Sequence, residues 1–245
     1  LPISPTTDMK PLAAAIAAGA TALDLALPAG AAEKLARLLA ELERWNQRIN
    51  LTAIRDPQEM VAAHVLDSLA VQPFLRGPNV IDIGTGAGFP GLPLAIAEPG
   101  FAFVLLDSNG KKISFVRHIA GELGLDNVTA VKARIEDYAP GQGFDTVIAR
   151  ALAAVPQLVE MAGHLVGEGG QLLAQKGRHQ PEGVRAADAR QHRPILHHRQ
   201  HFARHLHHNG VGVAIGHHPG QAAPPGHAIA PGIVDNYQIH PAPVD

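Results

Sequence analysis

VIDIGTGAGFPG, residues Val80 to Gly91, is the stretch on which the fold turns. Val80 to Ile83 reads as a short apolar strand that runs straight into Gly84, Gly86 and Gly88, and the apolar run Gly91 to Ala97 reads as a short helix. Glycines at alternate positions let the chain turn sharply and let a ligand lie against backbone where a Cβ would intrude.

The same rhythm continues after the loop. Phe101 to Leu106, Val128 to Val131, Asp145 to Ala149 and Gln171 to Ala174 are strand-like, while Lys111 to Leu123 and, despite Pro156, Leu152 to Leu165 are helical. Short apolar strands alternating with helices predict a doubly wound, mostly parallel α/β sheet covered on both faces, with ligands bound outside the carboxyl ends of the strands. Before this core, Leu35, Leu38, Leu39, Leu42, Trp45 and Ile49 form one apolar helical stripe. Asp56 and Pro57 are a helix start, predicting a second helix from Pro57 to about Val71 with His64 at its middle. The chain thus divides into an Ala-rich lead-in (1–30) with one short helix ended by Pro28 and Gly30, a helical extension (31–76), the core (77–178) and a tail (179–245).

Twenty Lys and Arg stand against 22 Asp and Glu, a net charge of −2, which excludes a uniformly basic nucleic-acid binder and leaves room for a local basic rim. The absence of Cys removes disulfides, thiolate metal sites and cysteine nucleophiles, and fits a reducing compartment. Leu12 to Leu27 is too short and too weakly apolar to span a bilayer, so a soluble, cytoplasmic protein without membrane contact is expected. A monomer is expected as well. Twelve of the 15 His follow Gly177, without the carboxylate company or spacing of a metal site, so no metal is expected. With eight Pro and no sustained period, residues 179–245 are expected to be disordered or poorly packed, with the composition of a shifted reading frame. The edge beyond Ala174 is then left open, Gly210 to Ile215 being the best remnant of a covering strand.

The glycine loop is a weak sign alone, because dinucleotide sites place G-x-G-x-x-G at the same turn. Here the third glycine would fall on Phe89, and Asp82 sets a carboxylate just before the loop, where it repels a pyrophosphate but can hold an ammonium. A ligand joining adenosine to an amino acid without phosphate, S-adenosylmethionine, fits that pattern better. Asp107 ends the next strand and can accept both ribose hydroxyls. Plainer roles stand beside these: a buried turn former for Asp82 and a helix N-cap for Asp107.

RWNQRINLTAIRDP (Arg44 to Pro57), HVLDSL (His64 to Leu69), DIGTGAGFPGLPLAI (Asp82 to Ile96), LLDSNGKK (Leu105 to Lys112), ARIEDY (Ala133 to Tyr138), IARAL (Ile148 to Leu152) and LLAQKG (Leu172 to Gly177) follow in an order and spacing that is specific as a set. Through them residues 31 to 176 resemble the glucose-inhibited division protein B (GidB/RsmG) family of 16S ribosomal RNA 7-methylguanosine methyltransferases. The resemblance implies a class I methyltransferase (Rossmann-like) fold with a small helical N-terminal extension. It implies cofactor contacts at Gly84, Phe89, Ile135, Glu136 and Arg150, to which Asp82, Gly86 and Asp107 are added from the loop reading. It also implies basic or imidazole groups toward the RNA, or the 30S subunit, at His64, Lys111, Arg134, Arg150 and Lys176.

The residue types narrow the reaction further. Methylation at carbon 5 of a pyrimidine usually needs a cysteine nucleophile, and there is none. Exocyclic amine methylation commonly uses an Asn-Pro-Pro-Tyr type turn, where this chain has Ala149, Arg150 and Ala151. Nitrogen 7 of guanine has a free lone pair and no proton to remove, so positioning alone can suffice. A donor should then reach only the 6-oxo group, and Arg150 is the candidate. On this reading the catalytic set is Arg150, His64 and Lys176, with Lys111 and Arg134 on the RNA. Without the family, His64 reads as a boundary histidine and Lys111 with Lys112 as a solvated helix start. A nucleotide-dependent oxidoreductase and a non-catalytic cofactor- or RNA-binding protein are the alternatives.

Overall fold

The computed structural model describes residues 9–176 and Gly212–Ile215. Its first helices, α1 (Met9–Ala22) and α2 (Ala31–Asn46), bury Leu12, Ile16 and Ala20 and Leu35, Leu38, Leu39 and Leu42 at one-turn spacing. α1 stops ahead of the expected Pro28, at Ala22, just before Asp24 turns left-handed (φ 55°), and Gly30 (φ 76°) caps α2 instead.

Asp56 caps the next helix, its carboxylate accepting the Gln58 N–H at 2.9 Å, with Pro57 in first position. The stretch is not one α-helix. α3 (Pro57–Met60) passes into a π-helical segment (Val61–Leu66) and then α4 (Asp67–Leu69). A π turn takes up one extra residue and rotates the side chains that follow, which apolar periodicity does not reveal.

The sheet has strand order β3-β2-β1-β4-β5-β6. β1 (Asn79–Ile83), β2 (Ala102–Asp107), β3 (Val128–Lys132), β4 (Phe144–Arg150) and β5 (Val166–Lys176) are parallel, and β6 (Gly212–Ile215) is antiparallel to β5. Crossovers run through α5 (Gly91–Ala97), α6 (Gly110–Leu123) and α7 (Val155–Ala162). Alternation along the strands splits the core in two. Val80, Phe103, Leu105, Ile148 and Leu173 face α2, α5 and α6, and the buried residues of α1 and α2 belong to this same cluster. Ile81, Ile83, Leu106, Val147 and Leu172 pack on the other face against Leu158 of α7.

Three further expectations change. The helix expected over Leu152 to Leu165 shortens to α7 and a 3₁₀ turn, and β5 starts at Val166 rather than Gln171. The edge beyond Ala174 is not open: Leu173 to Lys176 pair with Ile215 to Gly212, so β6 satisfies those backbone groups. The other expectations for residues 179–245 lie outside the described residues.

Candidate active site

The loop after β1 is built around Asp82. Its side chain is fully buried, and Oδ2 accepts the Thr85 hydroxyl at 2.6 Å and the Gly91 N–H at 2.8 Å. A Cβ at Gly91 would come within 2.8 Å of that same Oδ2, so glycine is required there for the carboxylate to tie the loop to the start of α5. Asp82 thus serves as a buried turn former through Oδ2, while its Oδ1 is buried with no hydrogen-bond partner among the described residues. Burial pushes its pKa up to about 6, against the opposing Thr85 and Gly91 hydrogen bonds.

A raised carboxylate adds stability that is full below the unfolded pKa of 3.8 and lost as pH rises through about 6. Relative to Asp82→Asn, the wild-type protein should lose about 2–3 kcal/mol of stability between pH 4 and pH 7. Urea denaturation of both proteins at the two pH values measures this, and a pH-independent difference would remove Asp82 as the titrating group.

Gly86 is left-handed (φ 62°) and donates its N–H to Asp107 Oδ2 at 2.9 Å, while Asp107 Oδ1 accepts the Asn109 N–H at 2.8 Å. Asp107 is not the N-cap of α6. Asn109 is, accepting the N–H groups of Lys111 and Lys112. A Cβ on Gly86 would meet nothing nearer than 3.9 Å, so the space over this backbone is open to a ligand. An acidic side chain at the end of β2 beside an open, left-handed glycine backbone fits the adenosine and ribose of S-adenosylmethionine.

The opposite wall comes from the helical extension. Buried Asn46, closing α2, accepts the N–H groups of Leu51 (2.8 Å) and Thr52 (3.1 Å) and donates to Thr52 O, which fixes the loop 47–52. That loop presents the Thr52 hydroxyl to His64 Nε2 at 2.8 Å. The His64 ring stacks on Phe89 (centroids 4.9 Å apart, 28° between planes), and the Arg150 guanidinium carbon lies 5.7 Å from the Phe89 centroid. Arg150 Nη1 donates to Asp67 Oδ2 (3.3 Å) and Ala63 O (3.5 Å), and Gln175 Nε2 donates to Asp67 O (2.8 Å) and Oδ2 (3.0 Å). Burial, reinforced by the Arg150 charge, holds His64 down at about 4, so the ring is neutral at pH 7. Its stabilising contribution runs opposite to that of Asp82, being lost as pH falls from 6.5 toward 4. Burial also raises the Asp67 pKa, against the opposing pull of Arg150.

Thr52, His64, Gly84, Gly86, Phe89 and Arg150 line one cleft of about 180 Å³ at the carboxyl ends of β1 and β4. A larger hollow of about 690 Å³ lies between α1, α2 and α6, away from the strand ends. The Phe89 ring is nearly buried under His64 and Arg150. Ile135 and Glu136 follow β3 and do not border the cleft. Ile135 is buried and Glu136 lies 3.7 Å from Arg134. Lys111 and Arg134 are exposed at the carboxyl ends of β2 and β3, and Lys176 ends β5 opposite Gly212. Asn46, Thr52, Asp67 and Gln175 carry no site signal of their own in the sequence, although all four lie inside the quoted segments RWNQRINLTAIRDP, HVLDSL and LLAQKG. Among the described residues there is no group of three or more His, Asp or Glu able to hold a metal, and no helix long and apolar enough to cross a membrane.

A parallel sheet ordered 3-2-1-4-5 with an antiparallel strand beyond it, a glycine loop after β1 and an acidic end to β2 define a class I methyltransferase. Residues 31–209 match the GidB family, described as rRNA small subunit methyltransferase G, and the chain belongs to that family. A ribosomal RNA small subunit methyltransferase G of Alkalilimnicola ehrlichii is 52% identical over 168 residues, 69% of this chain and 76% of that protein. Its namesake in Legionella pneumophila (strain Corby) is 52% identical over 137 residues, 56% of this chain and 66% of that protein. A solved SAM-dependent methyltransferase of Aquifex aeolicus is a looser likeness, with TM-score 0.42 and 19% identity, covering 52% of this chain and 72% of that one. The family match reaches 32 residues beyond Gly177, where the motifs readable in the sequence stop.

Proposed function

We propose that this protein methylates nitrogen 7 of a guanine in the decoding-region loop of small-subunit ribosomal RNA, using S-adenosylmethionine, as a cytoplasmic monomer. One observation carries the reading: Arg150, at the carboxyl end of β4, shares a cleft with the glycine loop, and only its Nη1 is hydrogen-bonded among the described residues. Bound S-adenosylmethionine supplies an electrophilic methyl group on a sulfonium. Asp107 and the backbone at Gly84 and Gly86 hold and orient the adenosine end. Arg150 turns Nη2 and Nε toward the 6-oxo group of the guanine and leaves nitrogen 7 unoccupied. No residue needs to take a proton, because that nitrogen carries none. A neutral His64 suits this, since it walls the cleft and braces Phe89 without acting as acid or base. Lys176 is assigned to the same strand-end rim, and Ile135 and Glu136 to the cofactor side. The divisions at residues 30, 76 and 178 belong to this proposal too. The shared cluster of α1, α2 and the sheet supports treating extension and core as one folding unit.

Calorimetry with S-adenosylhomocysteine and with NAD tests the cofactor assignment, and binding of NAD alone would favour an oxidoreductase. Lys111 and Arg134 are assigned to phosphates. Lys111→Ala should weaken RNA binding and make its logarithmic salt slope shallower by about 0.7 to 0.9, the scale for one phosphate contact. Titrations at several salt concentrations measure it, and an unchanged slope removes the assignment.

A further inference from the structure

We propose that Asp67 is a positioning residue for Arg150 and that Gln175 anchors it to the end of β5, so that the helical extension sets where the guanidinium reaches. The proposal rests on Arg150 acting at the target base. Both hydrogen-bond acceptors of Arg150, Asp67 Oδ2 and Ala63 O, come from one stretch of chain, the π-helical segment and the residue after it. Gln175 is the register partner of Arg150 across β4 and β5. Two neighbouring strand ends therefore converge on one carboxylate. Gln175 is 3% exposed and donates to both the backbone and the side chain of Asp67, which fixes the carboxylate as well as its helix.

The arrangement explains how one flexible side chain can hold a geometry. Asp67 takes Nη1, a single corner of a planar fork, and the remaining N–H groups have no partner among the described residues. Without that carboxylate, the guanidinium keeps one long contact to Ala63 O and the Phe89 ring, and its rotamers are no longer restricted to one. Displacement of a positioned group by about 1 Å can cost on the order of 100-fold in rate. The π turn belongs to the same device, because it places Ala63 O and Asp67 together on the Arg150 side while His64 meets Thr52 and Phe89.

The test is a double-mutant cycle on methyl transfer to small ribosomal subunits that lack the modification, using Asp67→Ala, Arg150→Ala and the double variant. Affinity for S-adenosylhomocysteine and the melting temperature are read alongside. Asp67→Ala should lower kcat by about 10- to 100-fold with KM for the subunits changed by less than about 3-fold. The double variant should be no worse than Arg150→Ala by more than about 2-fold. Asp67→Asn, whose amide oxygen still accepts from Nη1, should recover part of the loss. A wild-type kcat in Asp67→Ala beside an impaired Arg150→Ala overturns the proposal, as do losses that multiply in full. A wild-type kcat in Arg150→Ala instead overturns the base-contact reading itself. If Asp67→Ala does not fold, Asp67→Asn and Gln175→Met carry the same cycle.

Discussion

Arg150→Ala should reduce kcat for methyl transfer by about 100- to 1000-fold, the range for removing one preorganised donor from a site of developing charge. RNA affinity should fall far less, because the role assigned to Arg150 is at the base and not along the phosphates. The size follows from its setting. The guanidinium is mostly withdrawn from water, stands over Phe89, and keeps Nη2 and Nε unpaired among the described residues, so those groups meet the substrate oxygen without reorganising. Removing it also strips Asp67 of its counter-charge, and burial already holds that carboxyl above its usual range. Arg150→Lys should rescue poorly, since an ammonium keeps the charge but loses the planar fork. Single-turnover rates with saturating cofactor measure the effect. A loss confined to KM would move Arg150 from the base to the RNA backbone.

Asp107→Ala should weaken S-adenosylhomocysteine binding by about 1 to 3 kcal/mol, roughly 5- to 150-fold. Each carboxylate oxygen accepts one backbone N–H, from Gly86 and from Asn109, and each retains a second lone-pair direction for a ribose hydroxyl. The substitution thus removes ligand contacts and loosens the glycine turn together. Titration calorimetry separates these roles when Asp107→Asn is included, because the amide keeps one acceptor and loses the charge. Unchanged affinity in both variants would leave Asp107 only the task of fixing the loop and the start of α6.

Much of the architecture was legible because parallel strands buried on both faces must read as apolar runs. Val80 to Ile83, Phe101 to Leu106 and Gly91 to Ala97 appear close to where the sequence places them. The loop's glycines were legible as a turn, but spacing alone does not say which carboxylate serves the fold and which can serve a ligand. Asp82 and Asp107 both flank glycine backbone. Only three dimensions show that the first spends Oδ2 on Thr85 and Gly91, while the second, itself buried, holds the open backbone of Gly86. The π-helical segment was invisible to a search for one apolar stripe, and with it the pairing of Asp67 with Arg150, 83 positions apart. Gln175 stands within the quoted segment LLAQKG, but its role is not readable there, because a glutamine at a strand end is ordinary until its neighbour across the sheet is known to be Arg150.

In the proposed function one cleft, with Arg150 opposite the glycine loop, delivers a methyl group to nitrogen 7 of a ribosomal guanine. Small ribosomal subunits lacking the modification, incubated with the full chain and methyl-labelled S-adenosylmethionine and then digested to nucleosides, test it most directly. The expected result is label in 7-methylguanosine from one site of the decoding-region loop, with transfer slowed about 100- to 1000-fold in Arg150→Ala. Label on another atom, or binding of the cofactor with no transfer to the RNA, would contradict it.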